Sequence, residues 1–362
     1  MTETLNKTDL ASINFSEARE RFIVDFFAPC FEQNGLGYTE FQPMSRRLTP
    51  KIVRSLLQIV IDDIEVQRSE VKAYMVDKKA RDLLAKVGNI LADLARLRGT
   101  IILPETGEEM SCMVSLVAKA LKTGEPITFF TPVCPDWSRD DNGRYDFRSL
   151  GGGESFIANK FFVNAPEFLE VFAQNGVPFK GVVLFADWGL ETEIDAKGTY
   201  GQKLTPDDVQ MCFASTFAAT DQTLKVLQED ENFGKLFADD VVVSMKDFLA
   251  KRIDEQQVMQ AMRAFFTSSK QGQRLLEVLN RDSLKINTER LGVHDEENRE
   301  MTLRNLVEYS TVGQAIGDNS FLVVCESRTT SRCYNMPRAN DRKVPAFYIK
   351  GRDSLESGVN IL

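Results

Sequence analysis

A chain of 362 residues that is 43% hydrophobic and 27% charged is long enough for two or three domains and too apolar to stay disordered. Its formal charge of −9, with a pI near 5.0, repels phosphate backbones and argues against a nucleic-acid partner. No stretch approaches the ~18 uninterrupted apolar residues of a membrane span, so no membrane association is expected.

Other features set the compartment. The start, Met1-Thr2-Glu3-Thr4, shows no basic region leading into an apolar run, which is not the pattern of a secretory signal. The six cysteines are scattered with no CxxC pair, so they are expected as reduced thiols in the cytoplasm.

Residues 1–100 are expected to be a helical region. Ser16 caps a helix with Phe22, Ile23, Phe26 and Phe27 on one face, and Pro29 is expected to interrupt it. Thr49-Pro50 marks a second start, followed by Leu56, Leu57, Val60, Ile61 and Ile64 at helical spacing. A third helix is expected from about Ser69 to Leu97, ending near Gly99.

The texture then changes, and residues 101–238 read as a Rossmann-like α/β core. A helix near Cys112–Leu121 gives way at Gly124-Glu125-Pro126 to a buried strand, Ile127–Val133. A polar loop to Leu150, three glycines and a helix to about Gln174 follow. Asn175-Gly176 stops that helix, and a second strand, Val182–Ala186, comes next. Thr205-Pro206-Asp207-Asp208 opens a further helix, with acids placed to complement its dipole. Strand, helix, strand, helix in this order implies a βαβ crossover and a mostly parallel sheet flanked by helices. Residues 239–317 read as a helical insertion, and 318–362 as C-terminal strands completing the core, Phe321–Cys325 and Pro345–Ile349.

In open α/β sheets ligands bind beyond the carboxyl ends of the strands, and there this sequence concentrates functional groups. Cys134, Asp136, Trp137 and Ser138 follow the first strand; Asp187, Trp188 and Glu191 follow the second. An aromatic wall beside a carboxylate suits a flat or cationic group such as an α-amine, although a tryptophan there can simply cap the sheet. Gly151, Gly152, Gly153 and Glu154 precede a helix; they suit an anion cradle or a plain turn. After the third strand, Glu326, Arg328, Arg332, Tyr334 and Arg338 offer guanidinium forks for phosphate or carboxylate, or a solvated loop.

Some chemistry is disfavoured. The one histidine, His294, sits before a helix, so a histidine-based triad has little support. No His/Cys ligand spacing suggests a metal centre, which leaves only a carboxylate magnesium site from Asp136, Asp187 or Glu191. Cys134 could serve as a nucleophile, but a cysteine ending a buried strand is more often inert packing. No cofactor is named by any motif.

The order of parts resembles the isocyanide synthases of the pyoverdine/dityrosine biosynthesis family. The carriers are Thr123-Gly124-Glu125-Pro126-Ile127 running to Pro132, Leu150-Gly151 before a helix, Ala186-Asp187-Trp188-Gly189, and Arg304–Tyr309 with Phe321–Arg328. Where that family has a lysine- and asparagine-bearing loop, this chain has Asp136-Trp137-Ser138-Arg139. The resemblance implies the α/β fold and an amino-acid-like substrate. The leading expectation is therefore a transferase or synthase of specialised metabolism, with an amine-bearing small molecule and an anionic co-substrate as partners. Asp187, Glu191 and Tyr334 would carry the chemistry. Two rivals stand beside it: a nucleotide- or aminoacyl-tRNA-using transferase similar to cyclodipeptide synthases, and a non-catalytic helical interaction protein.

Overall fold

The computed structural model describes residues 4–5, 24, 26–48, 56, 66–67, 78–104, 106–133, 138–139, 145–146, 156–188, 206–291, 293–325, 333–338 and 343–350. Helices in chain order are α1 (Tyr38–Arg47), α2 (Lys78–Arg96), α3 (Gly107–Thr123), α4 (Phe156–Gln174) and α5 (Pro206–Glu229). They continue with α6 (Met245–Ala250), α7 (Glu255–Ser268), α8 (Lys270–Leu291) and α9 (Asp295–Ala315). The strands are β1 (Thr4–Leu5), β2 (Val66–Gln67), β3 (Ile101–Ile102), β4 (Ile127–Val133), β5 (Ser138–Arg139) and β6 (Tyr145–Asp146). After these come β7 (Phe179–Phe185), β8 (Val241–Ser244), β9 (Ser320–Val324) and β10 (Ala346–Ile349).

One mostly parallel sheet organises the molecule, in the order β3-β10-β9-β4-β7-β8. β4 and β7 pair along their whole length, from Ile127 opposite Phe179 to Val133 opposite Phe185. β9 lies parallel on the other side of β4, with Phe130 opposite Leu322. β10 continues the parallel set beyond β9, and β8 continues it beyond β7. β3 alone runs antiparallel, against β10. From β4 the chain moves one way, to β7 and β8; later it returns to the other flank for β9 and β10. The strand order therefore reverses between β9 and β4.

Both faces of the sheet are covered, as the largely apolar strands β4, β7 and β9 require. Alternation sends Ile127, Phe129 and Val133 to one face, against α2, α3 and α4, and Phe130 to the other, against α6 and α9. Phe129 is the hub of the first face: the rings of Phe168, Phe172, Phe179 and Phe321 stand around it at centroid distances of 5.2–5.6 Å. Helices α7, α8 and α9 form a separate apolar group around Phe266, Leu276 and Leu306.

Local chemistry places the helix ends. Thr106 and Glu109 cap α3 reciprocally, the Glu109 N–H donating to Thr106 Oγ1 and the Thr106 N–H to Glu109 Oε2. Gly124, in the left-handed region at φ 75°, closes that helix and turns the chain into β4. His294 sits at the N-cap of α9 and its N–H donates to Glu297 Oε2.

The expected elements that fall on described residues lie mostly where the sequence places them, with four differences, while the Ser16 cap and the Ser69 start lie outside the described residues. Pro29 stands inside a helical stretch over residues 26–33 rather than ending it. The helix over Cys112–Leu121 extends to Gly107–Thr123, because the Thr106/Glu109 cap starts it earlier. The 239–317 segment contributes a strand, β8, to the sheet, and β3 adds an antiparallel edge that no expectation included. The Thr49-Pro50 helix start lies outside the described residues. Among the described residues no helix is long and apolar enough to cross a membrane.

Candidate functional site

The register brings three strand exits together. The Ala186 N–H donates to Val133 O at 2.8 Å, which locks the end of β7 to the end of β4. Continuing the β4–β9 register from Phe130 and Leu322 sets Cys325, the residue just past β9, level with Val133. The chain leaves β4 through α4 on one face, whereas the connection after β9 returns through Tyr334 and Val344 on the other. A crevice opens at such a reversal because the two connections part to opposite faces.

Asp187 and Trp188 stand at this edge, both half-buried. Asp187 Oδ1 accepts from the Lys246 N–H at 3.0 Å, so the carboxylate helps to cap α6 beside Ser244, whose Oγ accepts from Asp247 N. The second oxygen, Oδ2, makes no hydrogen bond among the described residues. The Trp188 indole N–H donates to Glu255 Oε1 at 2.8 Å, in the first turn of α7, and its ring packs on the second-face core. These two bonds fix both side chains without closing the carboxylate.

A third group was missed by the sequence reading. Lys160, in the first turns of α4, donates from Nζ to Cys325 O at 2.6 Å and stands 5.5 Å from the centre of the Tyr348 ring. A cation is thus carried from the helix that follows β4 across to the exit of β9. A lysine near the start of the helix after a βα loop is the signal for it that the sequence carries.

Other expected site residues divide in two. Cys134, Asp136, Trp137, Gly152, Gly153 and Glu154 lie outside the described residues. Glu191, Glu326, Arg328 and Arg332 do so as well. For Ser138 the backbone is described, in β5 opposite Asp146 of β6. Tyr334 and Arg338 are described, and they are not brought to Asp187. Tyr334 is 2% exposed, packed beside Val344 and Ala346 with its ring 5.3 Å from that of Tyr309. The Arg338 guanidinium donates to Gly313 O and Ile316 O, the last carbonyls of α9, which lie before β9 begins. Both therefore belong to the amino edge of the sheet, because the connection after β9 descends the second face before it enters β10.

That amino edge holds a polar network of its own. Asn335 Nδ2 donates to Glu109 Oε1 and to Val344 O, and its Oδ1 accepts from the Val344 N–H, each at 2.8 Å. Lys343 Nζ donates to Asn335 O. Burial holds the Lys343 ammonium below its usual range, against the opposing pull of Glu109. On the neighbouring strands, Asp240 accepts from the Gly181 N–H in a space that only a glycine leaves open. Burial raises its carboxyl to about 6, and Asp239 adds to the rise. Among the described residues no group of three or more His, Cys, Asp or Glu side chains is gathered to hold a metal.

No family model matches the chain, and no curated protein does. The crystal structure of the PvcA (PA2254) protein from Pseudomonas aeruginosa is similar over 69% of this chain and 87% of that one, with 11% identity and a TM-score of 0.37. A likeness that remote assigns neither a family nor an activity. The fold class rests on the sheet itself.

Proposed function

We propose that this protein is a small-molecule biosynthetic enzyme, a transferase or synthase, taking an amino-acid-like substrate at the carboxyl edge of the sheet. The observation that supports it best is the shared exit of β9, β4 and β7, with the order reversing between β9 and β4. In this reading Asp187 holds the substrate amine through Oδ2, while Oδ1 stays on the Lys246 N–H. Trp188 supplies one aromatic wall, held by Glu255, and Trp137 supplies the other. Arg328 and Arg332 serve an anionic co-substrate. Proton transfer falls to Glu191, since Tyr334 is packed at the far edge. Isocyanide-synthase-like chemistry is the finer form of this reading and rests on the sequence resemblance alone.

A thermal-shift panel of amino acids and sugar phosphates tests it, run on the wild type and on Asp187→Asn. An amine-bearing metabolite is expected to raise the wild-type Tm by several degrees at ~100 times its Kd, and to lose most of that effect in the variant. No response to any amine-bearing compound, or a response unchanged in Asp187→Asn, rules the reading out.

A further inference from the structure

We propose that the outer edge of β8 is a self-association surface, where two copies of this chain pair antiparallel about a two-fold axis at Val242 and join their sheets. The inference goes beyond the crevice reading and does not depend on it.

The edge comes first. β8 ends the sheet: it pairs with β7 on one side, and among the described residues no strand pairs with it on the other. Such an edge presents N–H and C=O groups that another strand can take up, and proteins ordinarily blunt it with a charge, a proline or a bulge. β8 reads Val241-Val242-Val243-Ser244, in unbroken register with Val182–Phe185, and carries none of the three. Val241 is 48% exposed. Among the described residues five large apolar side chains are exposed, and three of them, Val226, Phe233 and Val241, fall in the passage from α5 into this strand. Isolated exposed apolar residues are ordinary, whereas a concentration of them leading to an unpaired edge marks a contact.

The occupant comes second. Two-fold dimers are the commonest closed assembly, and an axis perpendicular to the sheet sets identical edges antiparallel while keeping each face continuous. Val242 packs on the first-face core and Val243 on the second, so Val241 shares the face of Val243. With the axis at Val242, Val241 of each copy opposes Val243 of the other, and a β-branched pair covers the exposed side chain. Charge selects this register. It sets exposed Asp239 of each copy beside Met245 and exposed Lys246 of the other, and neither charge is in an ion pair among the described residues. An axis one residue on, at Val243, would instead oppose Asp239 to exposed Asp247, acid against acid. Two reciprocal opposite-charge contacts therefore favour a second copy over an unrelated strand. The chain's charge of −9 opposes association at long range, but salt screens it beyond ~8 Å, within which the local pairs act. Four-residue strands bury little area, so a dimer of micromolar affinity is expected rather than a tight one.

Sedimentation equilibrium of the full chain at physiological salt, over a concentration series spanning the micromolar range, reads the association directly. The wild type is expected to pass from 40.8 kDa toward twice that mass. Val241→Lys is expected to abolish the dimer. Asp239→Lys and Lys246→Asp, each alone, are expected to weaken it about tenfold, because each turns both charge contacts into repulsions. Mixed in equal amounts, these two variants can form a heterodimer in which both contacts are again of opposite sign. Association of the mixture is expected to return to within roughly threefold of wild type. Circular dichroism checks the folding of each variant. Hydrogen exchange adds a readout that needs no variant: protection of residues 241–244 is expected to rise with protein concentration. A wild type that stays monomeric would leave the edge to some other strand and overturn the inference. So would a dimer unchanged in folded Val241→Lys, a mixture that associates no better than its separate components, or exchange independent of concentration. If Val241→Lys does not fold, the mixture and the exchange decide.

Discussion

The two edges of the sheet use polar residues in opposite ways. At the amino edge, Glu109, Asn335, Lys343 and Arg338 are directed at one another and at backbone carbonyls, and they hold the segment before β10 against α3 and the end of α9. At the carboxyl edge, Asp187 and Trp188 each make one side-chain hydrogen bond that fixes an orientation, and the second Asp187 oxygen makes none among the described residues. The difference separates a scaffold from the proposed site. Buried polar groups that satisfy each other lock a structure, whereas oriented polar groups that are not mutually satisfied can receive something else.

The contrast breaks first, if it breaks, at Asn335. Its amide serves Glu109 and both backbone groups of Val344, so Asn335→Leu removes three buried hydrogen bonds and strips the Val344 N–H and C=O of the Asn335 side chain. A loss of about 3 kcal/mol or more is expected in urea unfolding, because unpaired buried polar groups cost ~1–3 kcal/mol each. A loss under ~1 kcal/mol would mean the amino edge is not the rigid one.

Asp240 gives the next largest effect, and its sign is fixed. Its folded pKa of about 6 lies above the ordinary carboxylate value of 3.8, so the native state holds the proton more tightly than the unfolded chain. The stability from this group is present in full below pH ~4 and is lost as pH rises through 6. The rise corresponds to roughly 3 kcal/mol at most. Asp240→Asn keeps an oxygen for the Gly181 N–H and removes the charge. It is expected to melt a few degrees above wild type at pH 7.5, with the gap closing by pH 4. A gap that stays constant across that range would show that the carboxyl does not titrate as its burial requires.

Trp188→Phe sharpens the comparison from the other side with the smallest expected change. It removes the hydrogen bond to Glu255 and keeps most of the ring, so unfolding should shift by only about 1 kcal/mol. Binding of an amine-bearing metabolite should weaken more than that. An unfolding loss as large as that of Asn335→Leu would place Trp188 in the scaffold.

Much of this layout could be read from the sequence, for physical reasons. β4 and the Val182–Phe185 part of β7 are short, strongly apolar runs preceded by the turn signals Gly124-Glu125-Pro126 and Asn175-Gly176, which favour buried strands. The exits of those strands, and Asp187 and Trp188 on one of them, followed from that pattern. β8 did not stand out, because four residues are too few to set a period, although Val241-Val242-Val243 carries the β-branched signature. Tyr334 and Arg338 follow a strand just as Asp187 does, and nothing in composition distinguishes a connection that stays at the exit from one that crosses a face. Lys160 and Cys325 meet across 165 positions, a separation that no local pattern encodes.

Gly313 of α9 sits so close to the backbone of Tyr334 that a β-carbon there would overlap the Tyr334 carbonyl. Even an alanine at that position would act as a wedge, lifting the return path to β10 and, with it, the anchorage of the outermost parallel strand. Damage of that kind starts at the end of the sheet farthest from Asp187. A library of variants should therefore sort into folding defects that spread from Gly313 and activity defects that spare the fold, with few positions showing both.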